Sequence, residues 1–377
     1  MTAAPVLFNE LSAQGGQRIG EIILNIPATL NSLTLEMVEL MLARLDKWEA
    51  DDGLVAIVIR GSGDKAFCAG GDVQALYRSA IANPGGPCAE AETFFAREYR
   101  LDYRLHVSPK PLICWGHGIV MGGGMGIFSA CGQRVVTERT RIAMPEVGIA
   151  LFPDVGGSYF LNRMPGHSGA FLALTGASIN AADCLYAGLA DHFISHEHYD
   201  TVVSALQVAS WQPGDSTANN TANNERCTQV LAAVAAECRE LLPEGNLQAH
   251  MDEIESLFAS EGPHDVIAAI LAVDSSQVWM NKARDGLAYG SPLSALLIYR
   301  QLVRSRGLSL AEVFRAELVL ATNMVRFREF GEGVRALLID KDRNPDWTYK
   351  THAEVPDEVI ESFFQPPWPQ SPLQDLC

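Results

Sequence analysis

Along the first half of the chain, short aliphatic and β-branched runs alternate with stretches whose apolar residues recur every three or four positions. Residues 20–26 (GEIILNI) and 54–60 (LVAIVIR) are followed by turn residues and read as strands. Between them Thr34 can cap a helix, and Met37, Leu40, Met41, Leu45 and Trp48 keep an apolar stripe at helical spacing. Residues 113–120 predict another strand after a helix, and residues 133–137 a further one. This alternation predicts an α/β fold.

From Gly157 onward strands thin out, apart from a short run at 192–195, and helical periodicity dominates. Helices are expected near 227–242, 250–260, 292–305 and 310–330, before a Pro-rich tail. Residues 212–226 (QPGDSTANNTANNER) are polar and repeat Thr-Ala-Asn-Asn, which reads as a solvated loop and the best internal boundary. The N-terminal half reads as the half that carries the candidate chemistry, and the C-terminal half as a helical cover.

Composition narrows the function. With 48% hydrophobic residues among 377, the chain can bury a sizeable core. The balance of 28 basic against 45 acidic residues gives −17, which argues against a nucleic-acid surface. Eight cysteines lie without a C-x-x-C pair, so zinc-ribbon and redox spacings are missing. Residues 111–131 carry no charge over 21 positions, but six glycines, three of them consecutive, fit a buried strand and turn better than a membrane span. No basic residue precedes Arg18 and no apolar leader follows Met1, which implies a cytoplasmic chain with no membrane partner. The oligomeric state stays open, a homo-oligomer included.

Four segments carry candidate chemistry. Lys65-Ala66-Phe-Cys-Ala69-Gly-Gly71-Asp72 lies between a strand and a helix start near Val73, where backbone N–H groups point outward as donors for an anionic oxygen; Gly71 is the natural donor. Taken alone, the segment is equally a turn. Gly122-Gly123-Gly124 offers a second junction of the same kind, so the two could form an oxyanion hole; the alternative is a tight helix–sheet contact. Glu146 and Asp154 sit eight apart in the apolar stretch MPEVGIALFPDVGG, where burial would raise a carboxyl pKa toward neutrality and suit acid–base or nucleophilic work. Asp154 could instead cap the helix near Gly156, and Glu146 could be held by a salt bridge. Finally, Phe94, Glu98, Leu101 and Leu105 place Glu98 on the apolar stripe of its own helix, where an Arg partner or a polar pocket must compensate it. His117, alone in an apolar strand, reads as a satisfied core histidine. No G-x-S-x-G, P-loop or H-E-x-x-H motif occurs, and Gly116-His-Gly118 runs one residue too long for G-x-G-x-x-G.

AFCAGGDV, HGIVMGGGMG and AMPEVGIALFPDVGGSYFLNRMPG resemble the signature segments of the enoyl-CoA hydratase/isomerase (crotonase) superfamily, and specifically its 3-hydroxyisobutyryl-CoA hydrolase branch. The likeness continues through FLALTGASINAADCLYAGLADHFI and FGEGVRALLIDKDRNPDW, and is weakest at about 199–263. The resemblance implies a crotonase-like spiral of ββα units with a helical C-terminal region. It also implies hydrolysis of a short 3-hydroxyacyl-CoA thioester, as in valine catabolism, with no cofactor because coenzyme A is part of the substrate. By motif match, Gly71 and Gly123 supply the oxyanion N–H groups and Glu146 is the main catalytic carboxylate, with Asp154 beside it. Glu98 lies at the acyl pocket, and Lys65, Ala66 and Ala69 line coenzyme A. Hydratases resembling this fold carry a catalytic Glu where this chain has Gly126, and Gly where it has Asp154; those two positions favour hydrolase over hydratase. A hydratase or isomerase acting on a short 2-enoyl-CoA is the alternative, and a non-catalytic acyl-CoA binder a third.

Overall fold

The computed structural model describes residues 4–214, 216–260 and 262–377. The chain divides into two compact units. The first comprises the chain up to Gly71, Leu101–Ile142 and Ile179–Gly245, and the second Asp72–Arg100, Ala143–Ser178 and Asn246–Cys377.

Nine strands are formed by the described residues: β1 (Val6–Ser12), β2 (Arg18–Leu24), β3 (Leu54–Gly61), β4 (Ala66–Cys68), β5 (Leu112–Gly116), β6 (Ile119–Met121), β7 (Gln133–Val136), β8 (Arg141–Ala143) and β9 (His192–Phe193). They build a six-stranded sheet in the order β1-β2-β3-β5-β7-β9 and a three-stranded sheet in the order β4-β6-β8. Only the β1–β2 pairing is antiparallel in the larger sheet; every later neighbour is parallel. After β2, strands alternate between the two sheets as the chain advances, which is the ββα spiral expected from the motifs. The central strands β3 and β5 are buried almost throughout, as a parallel sheet covered on both faces requires.

Helix α1 (Leu35–Glu49) starts where Thr34 accepts the Met37 N–H at 3.2 Å, and it buries Met37, Val38, Met41, Leu42, Leu45 and Trp48. Helices α2 (Val73–Ala82), α3 (Ala89–His106), α4 (Gly123–Ala130) and α5 (Gly157–Leu161) follow the strands and turns that carry the candidate chemistry. C-terminal helices include Pro292–Arg304 and Leu310–Arg326.

Two expectations fail for identifiable reasons. The single strand expected at 113–120 is two, β5 and β6, in different sheets. Gly118 bends the chain between them at φ +61°, and an ideal Cβ there would lie 2.2 Å from the Lys65 carbonyl oxygen. The polar loop expected at 212–226 is helical from Thr217, within Thr217–Cys238; Asp215 lies outside the described residues. Its four-residue Thr-Ala-Asn-Asn repeat is close to a helical turn, and the buried stripe Asn220, Asn223, Cys227, Leu231, Val234 and Cys238 follows that period. The polar start of the stripe is tolerated because Asn223 both accepts the Gln212 N–H and donates to its carbonyl, each at 2.9 Å.

Asn31 fixes the approach to β4. Fully buried with a left-handed backbone (φ 57°), it accepts the Ile26 N–H and donates to the Ser62 and Ala66 carbonyls, each at 3.0 Å. Asn31→Ala leaves one buried and two half-buried backbone groups short of a partner, and should lower the free energy of unfolding by about 1–3 kcal/mol. Urea titration checks this; a loss below about 0.5 kcal/mol, the range of surface substitutions, would contradict it.

Candidate active site

In the first unit, β4 and β6 run parallel, with Ala66 opposite Ile119 and Cys68 opposite Val120, so the turns at their C-terminal ends lie side by side. An ideal Cβ on Gly70 would sit 3.4 Å from the Met121 oxygen and 3.6 Å from the Gly123 nitrogen. Gly70 (φ 110°) and Gly122 (φ 47°) adopt backbone that other residues rarely enter. Gly71 and Gly123 therefore stand on neighbouring turns, and the turn and loop hydrogen bonds of the described residues use neither N–H. Gly123 opens α4, where the first N–H groups have no partner within the helix. The packing explanation for the glycine run also holds, at a different residue: a Cβ on Gly124 would meet the Cys68 carbonyl oxygen at 2.4 Å. Of the other predicted positions, Lys65 is exposed, Ala66 is buried within β4, and Ala69 is half-buried and donates its N–H to the Leu30 carbonyl at 3.0 Å.

A side chain at Gly126 would have to displace the Asp102 carboxyl group. The ideal Cβ would lie 2.5 Å from one oxygen of Asp102, a fully buried residue of α3. The space into which an acid at 126 would grow already holds a carboxylate.

The acids converge in the second unit. Glu98, Glu146 and Asp154 are 2%, 6% and 5% exposed. Glu146 opens a 3-10 turn, Glu146–Ile149, held by the Ser291 N–H on the Val147 carbonyl at 3.0 Å and by the Ser294 hydroxyl on the Leu151 carbonyl. Burial first, and then the charge of Asp154, raises the Glu146 pKa well above the usual carboxylate range. Burial, then Asp154, then Glu146 do the same to Glu98. Asp154 is pushed up to about 6 by burial, opposed by a hydrogen bond from Tyr99. Glu146 Oε2 and Glu98 Oε1 are buried and have no hydrogen-bond partner among the described residues, and no salt bridge there involves either acid. The salt-bridge and Arg-partner alternatives are thereby set aside.

Asp154 is not a cap. Gly156 occupies the N-cap of α5, and the Gly156 and Ser158 N–H groups go to Glu317 at 2.7 and 2.8 Å. The Asp154 side chain instead accepts the Tyr99 hydroxyl at 2.6 Å. Its backbone turn is strained: the Gly157 N–H closes on the Asp154 carbonyl at 2.7 Å, with Val155 at φ 54° and Gly156 at φ 84°. A β-branched residue in that region costs about 1–3 kcal/mol and persists only when its surroundings hold it.

Tyr99 and Glu317 went unnoticed in the sequence. Glu317 carried a readable signal, because Phe314, Glu317 and Ala321 fall at +3 and +4 on one apolar stripe, the pattern that exposed Glu98. Tyr99 had none, since an aromatic beside a charged helix position is ordinary. His117 meets its bland reading in part: it is buried, with Nε2 at 2.8 Å from the Gly63 carbonyl and its pKa lowered chiefly by burial, while Nδ1 has no hydrogen-bond partner among the described residues.

The enoyl-CoA hydratase/isomerase family description matches residues 19–364. The chain is 38% identical over 365 residues to a mitochondrial 3-hydroxyisobutyryl-CoA hydrolase of Gallus gallus, covering 97% of this chain and 90% of that one. To the Homo sapiens protein of the same name it is 37% identical over 348 residues, covering 92% and 86%. Among solved structures it is similar to a carnitinyl-CoA dehydratase from Mycobacterium thermoresistibile (36% identity, TM-score 0.83, 97% and 98% coverage). It is also similar to an enoyl-CoA hydratase from Rhodobacter sphaeroides 2.4.1 (32%, 0.82, 98% and 99%). With its parallel strands alternating between two sheets and glycine turns beside them, the chain belongs to the enoyl-CoA hydratase/isomerase family and has the crotonase fold. Among the described residues no helix is long and apolar enough to cross a membrane. The vertebrate relatives are named mitochondrial, which lends no support to the cytoplasmic expectation.

The close approach at Gly126 is testable. Gly126→Ala should cost about 1–3 kcal/mol in unfolding free energy, and most of that cost should vanish in an Asp102→Ala background. Equal costs in both backgrounds, measured by a double-mutant cycle, would place the clash elsewhere.

Proposed function

We propose that the chain hydrolyses the thioester of a short 3-hydroxyacyl-CoA, 3-hydroxyisobutyryl-CoA foremost, to the free hydroxy acid and coenzyme A. The observation that carries this reading is the set of three buried carboxyls, Glu98, Glu146 and Asp154, combined with a glycine at position 126 packed against the Asp102 side chain. The names of the vertebrate relatives support it. The thioester oxygen accepts the Gly71 and Gly123 N–H groups, each such donor contributing on the order of 10²–10³ in rate as charge develops on that oxygen. Glu146 then acts in one of two ways. As nucleophile, its oxygen bonds to the carbonyl carbon, the C–S bond breaks, coenzyme A leaves as the thiol after taking a proton, and water cleaves the mixed anhydride. As general base, it takes a proton from the water that attacks the same carbon. Asp154 orients the 3-hydroxyl or assists proton transfer, Glu98 borders the acyl group, and Lys65, Ala66 and Ala69 line the coenzyme. No cofactor is required.

Hydration of a 2-enoyl-CoA is the second reading, favoured by the names of the two similar structures. It predicts loss of enone absorbance without free thiol, where hydrolysis predicts thiol release.

Glu146→Gln keeps the shape of the side chain and should lower thiol release by at least roughly 10²–10⁴-fold with folding intact. Because Glu146 must be ionised to act and burial raises its pKa, the acid limb of wild-type kcat/KM should lie above the ordinary carboxylate range. Near-normal turnover in Glu146→Gln, or an acid limb at ordinary carboxylate pH, would remove Glu146 from this role.

Substrate choice gives a separate check. A substrate lacking the 3-hydroxyl leaves a buried polar group unpaired, at about 1–3 kcal/mol, so isobutyryl-CoA should fall roughly 5- to 150-fold below 3-hydroxyisobutyryl-CoA in kcat/KM. 3-Hydroxypropionyl-CoA should lose only about 1 kcal/mol for its missing methyl. Equal constants for the hydroxylated and plain acyl groups would leave a general acyl-CoA thioesterase.

A further inference from the structure

We propose that Tyr99 is a positioning residue for Asp154: its hydroxyl occupies one carboxylate oxygen and so presents the other to the substrate. This rests on the reading above, in which Asp154 faces the acyl group.

Three observations carry it. The first is the bond itself: the Tyr99 hydroxyl donates to Asp154 Oδ2 at 2.6 Å, leaving Oδ1 for a substrate hydroxyl or a proton in transit. A hydroxyl donor to a carboxylate is a charge-assisted bond, short and directional.

The second is that both ends of the bond are held. Tyr99 is fully buried, with ring centroids 6.0 Å from Phe95 and 5.9 Å from Phe314, so the direction of its hydroxyl is set by packing. Asp154 is held through its backbone. Glu317, also fully buried, takes the Gly156 N–H on Oε2 and the Ser158 N–H on Oε1, which clamps the turn containing the left-handed Val155. Phe314 and Glu317 lie on the same helix, Leu310–Arg326, so one element fixes both partners. Burial pushes Glu317 up to about 8 against the two N–H groups. A leucine would fill the volume at lower electrostatic cost, and the two otherwise partnerless N–H groups explain why an acid is there.

The third is the surrounding charge. The charge of Asp154 helps raise the pKa of Glu98 and Tyr99 on α3, of Glu146 in the 3-10 turn and of Glu317 on helix Leu310–Arg326, and none of these four neighbours is a cation. The Tyr99 hydroxyl is the side-chain group that favours the ionised form of Asp154 against burial.

Two readouts test the proposal, one of them without substrate. In apo protein labelled with carbon-13 at aspartate carboxyls, with Asp154→Asn marking the signal, Tyr99→Phe should raise the Asp154 midpoint by roughly one pH unit. In thiol-release assays the same variant should lower kcat for 3-hydroxyisobutyryl-CoA by roughly 10- to 100-fold while KM changes less than about 3-fold, with the acid limb displaced upward. A 3,5-difluorotyrosine at position 99, a stronger donor of nearly native shape, should move the midpoint the opposite way and keeps the test available should Tyr99→Phe fold poorly. An unmoved Asp154 midpoint in the folded variants overturns the proposal. If the wild type releases no thiol, the hydrolase reading fails, and the titration still decides whether Tyr99 sets the state of Asp154.

Discussion

The arrangement depends on burying several carboxyl groups in one compact unit with no cation paired to them among the described residues. Glu98, Glu146, Asp154 and Glu317 are all nearly inaccessible, and the charge of Asp154 reaches each of the others. In such surroundings ionisation is opposed by desolvation and by mutual repulsion, so the acids hold protons at pH values where surface carboxylates have lost them. What relieves the cost is neutral hydrogen bonding: a tyrosine hydroxyl on Asp154, and two backbone N–H groups on Glu317. The strained turn at Val155 sits between those two supports. The cost also has a pH signature. Groups whose pKa is raised on folding contribute stability that is complete below their unfolded values and is lost as pH rises through the folded ones, about 6 for Asp154 and about 8 for Glu317.

The first unit solves a different problem, that of exposing backbone donors without a side chain in the way. Parallel pairing of β4 with β6 places two strand ends together, and each ends in glycines whose backbone angles or close contacts exclude larger residues. Gly126 belongs to the same economy of space, since the Asp102 carboxylate fills the volume beside it. A chemical distinction read from one residue type thus has a steric counterpart on a neighbouring helix.

Much of this was legible in the sequence, and the failures share a cause. Thr34 as a cap, β3, the glycine junctions and the stripe position of Glu98 all follow from local pattern, and the structure shows each of them. Residues 113–120 divide because the Lys65 backbone presses on Gly118, a contact between segments far apart in sequence. Helix Thr217–Cys238 was hidden by composition: Asn223 is buried only because the Gln212 backbone satisfies its amide. Asp154 looked like a cap for α5 because the acid that satisfies that helix start, Glu317, stands on a helix 161 residues from Gly156. Tyr99 carried no sequence signal at all, because its role is defined by a partner 55 residues away.

Burial, and then the charge of Asp154, keeps the Glu146 carboxyl protonated above the usual carboxylate range. Infrared difference spectra between the wild-type protein and Glu146→Gln, recorded across pH, observe that carboxyl directly. The predicted result is a protonated carboxyl band that persists at pH values where a free glutamate is ionised, that the substitution removes, and that gives way to carboxylate only above the usual carboxylate range. A Glu146 signal already fully ionised at pH values near that of a free glutamate, about 4.3, would contradict it.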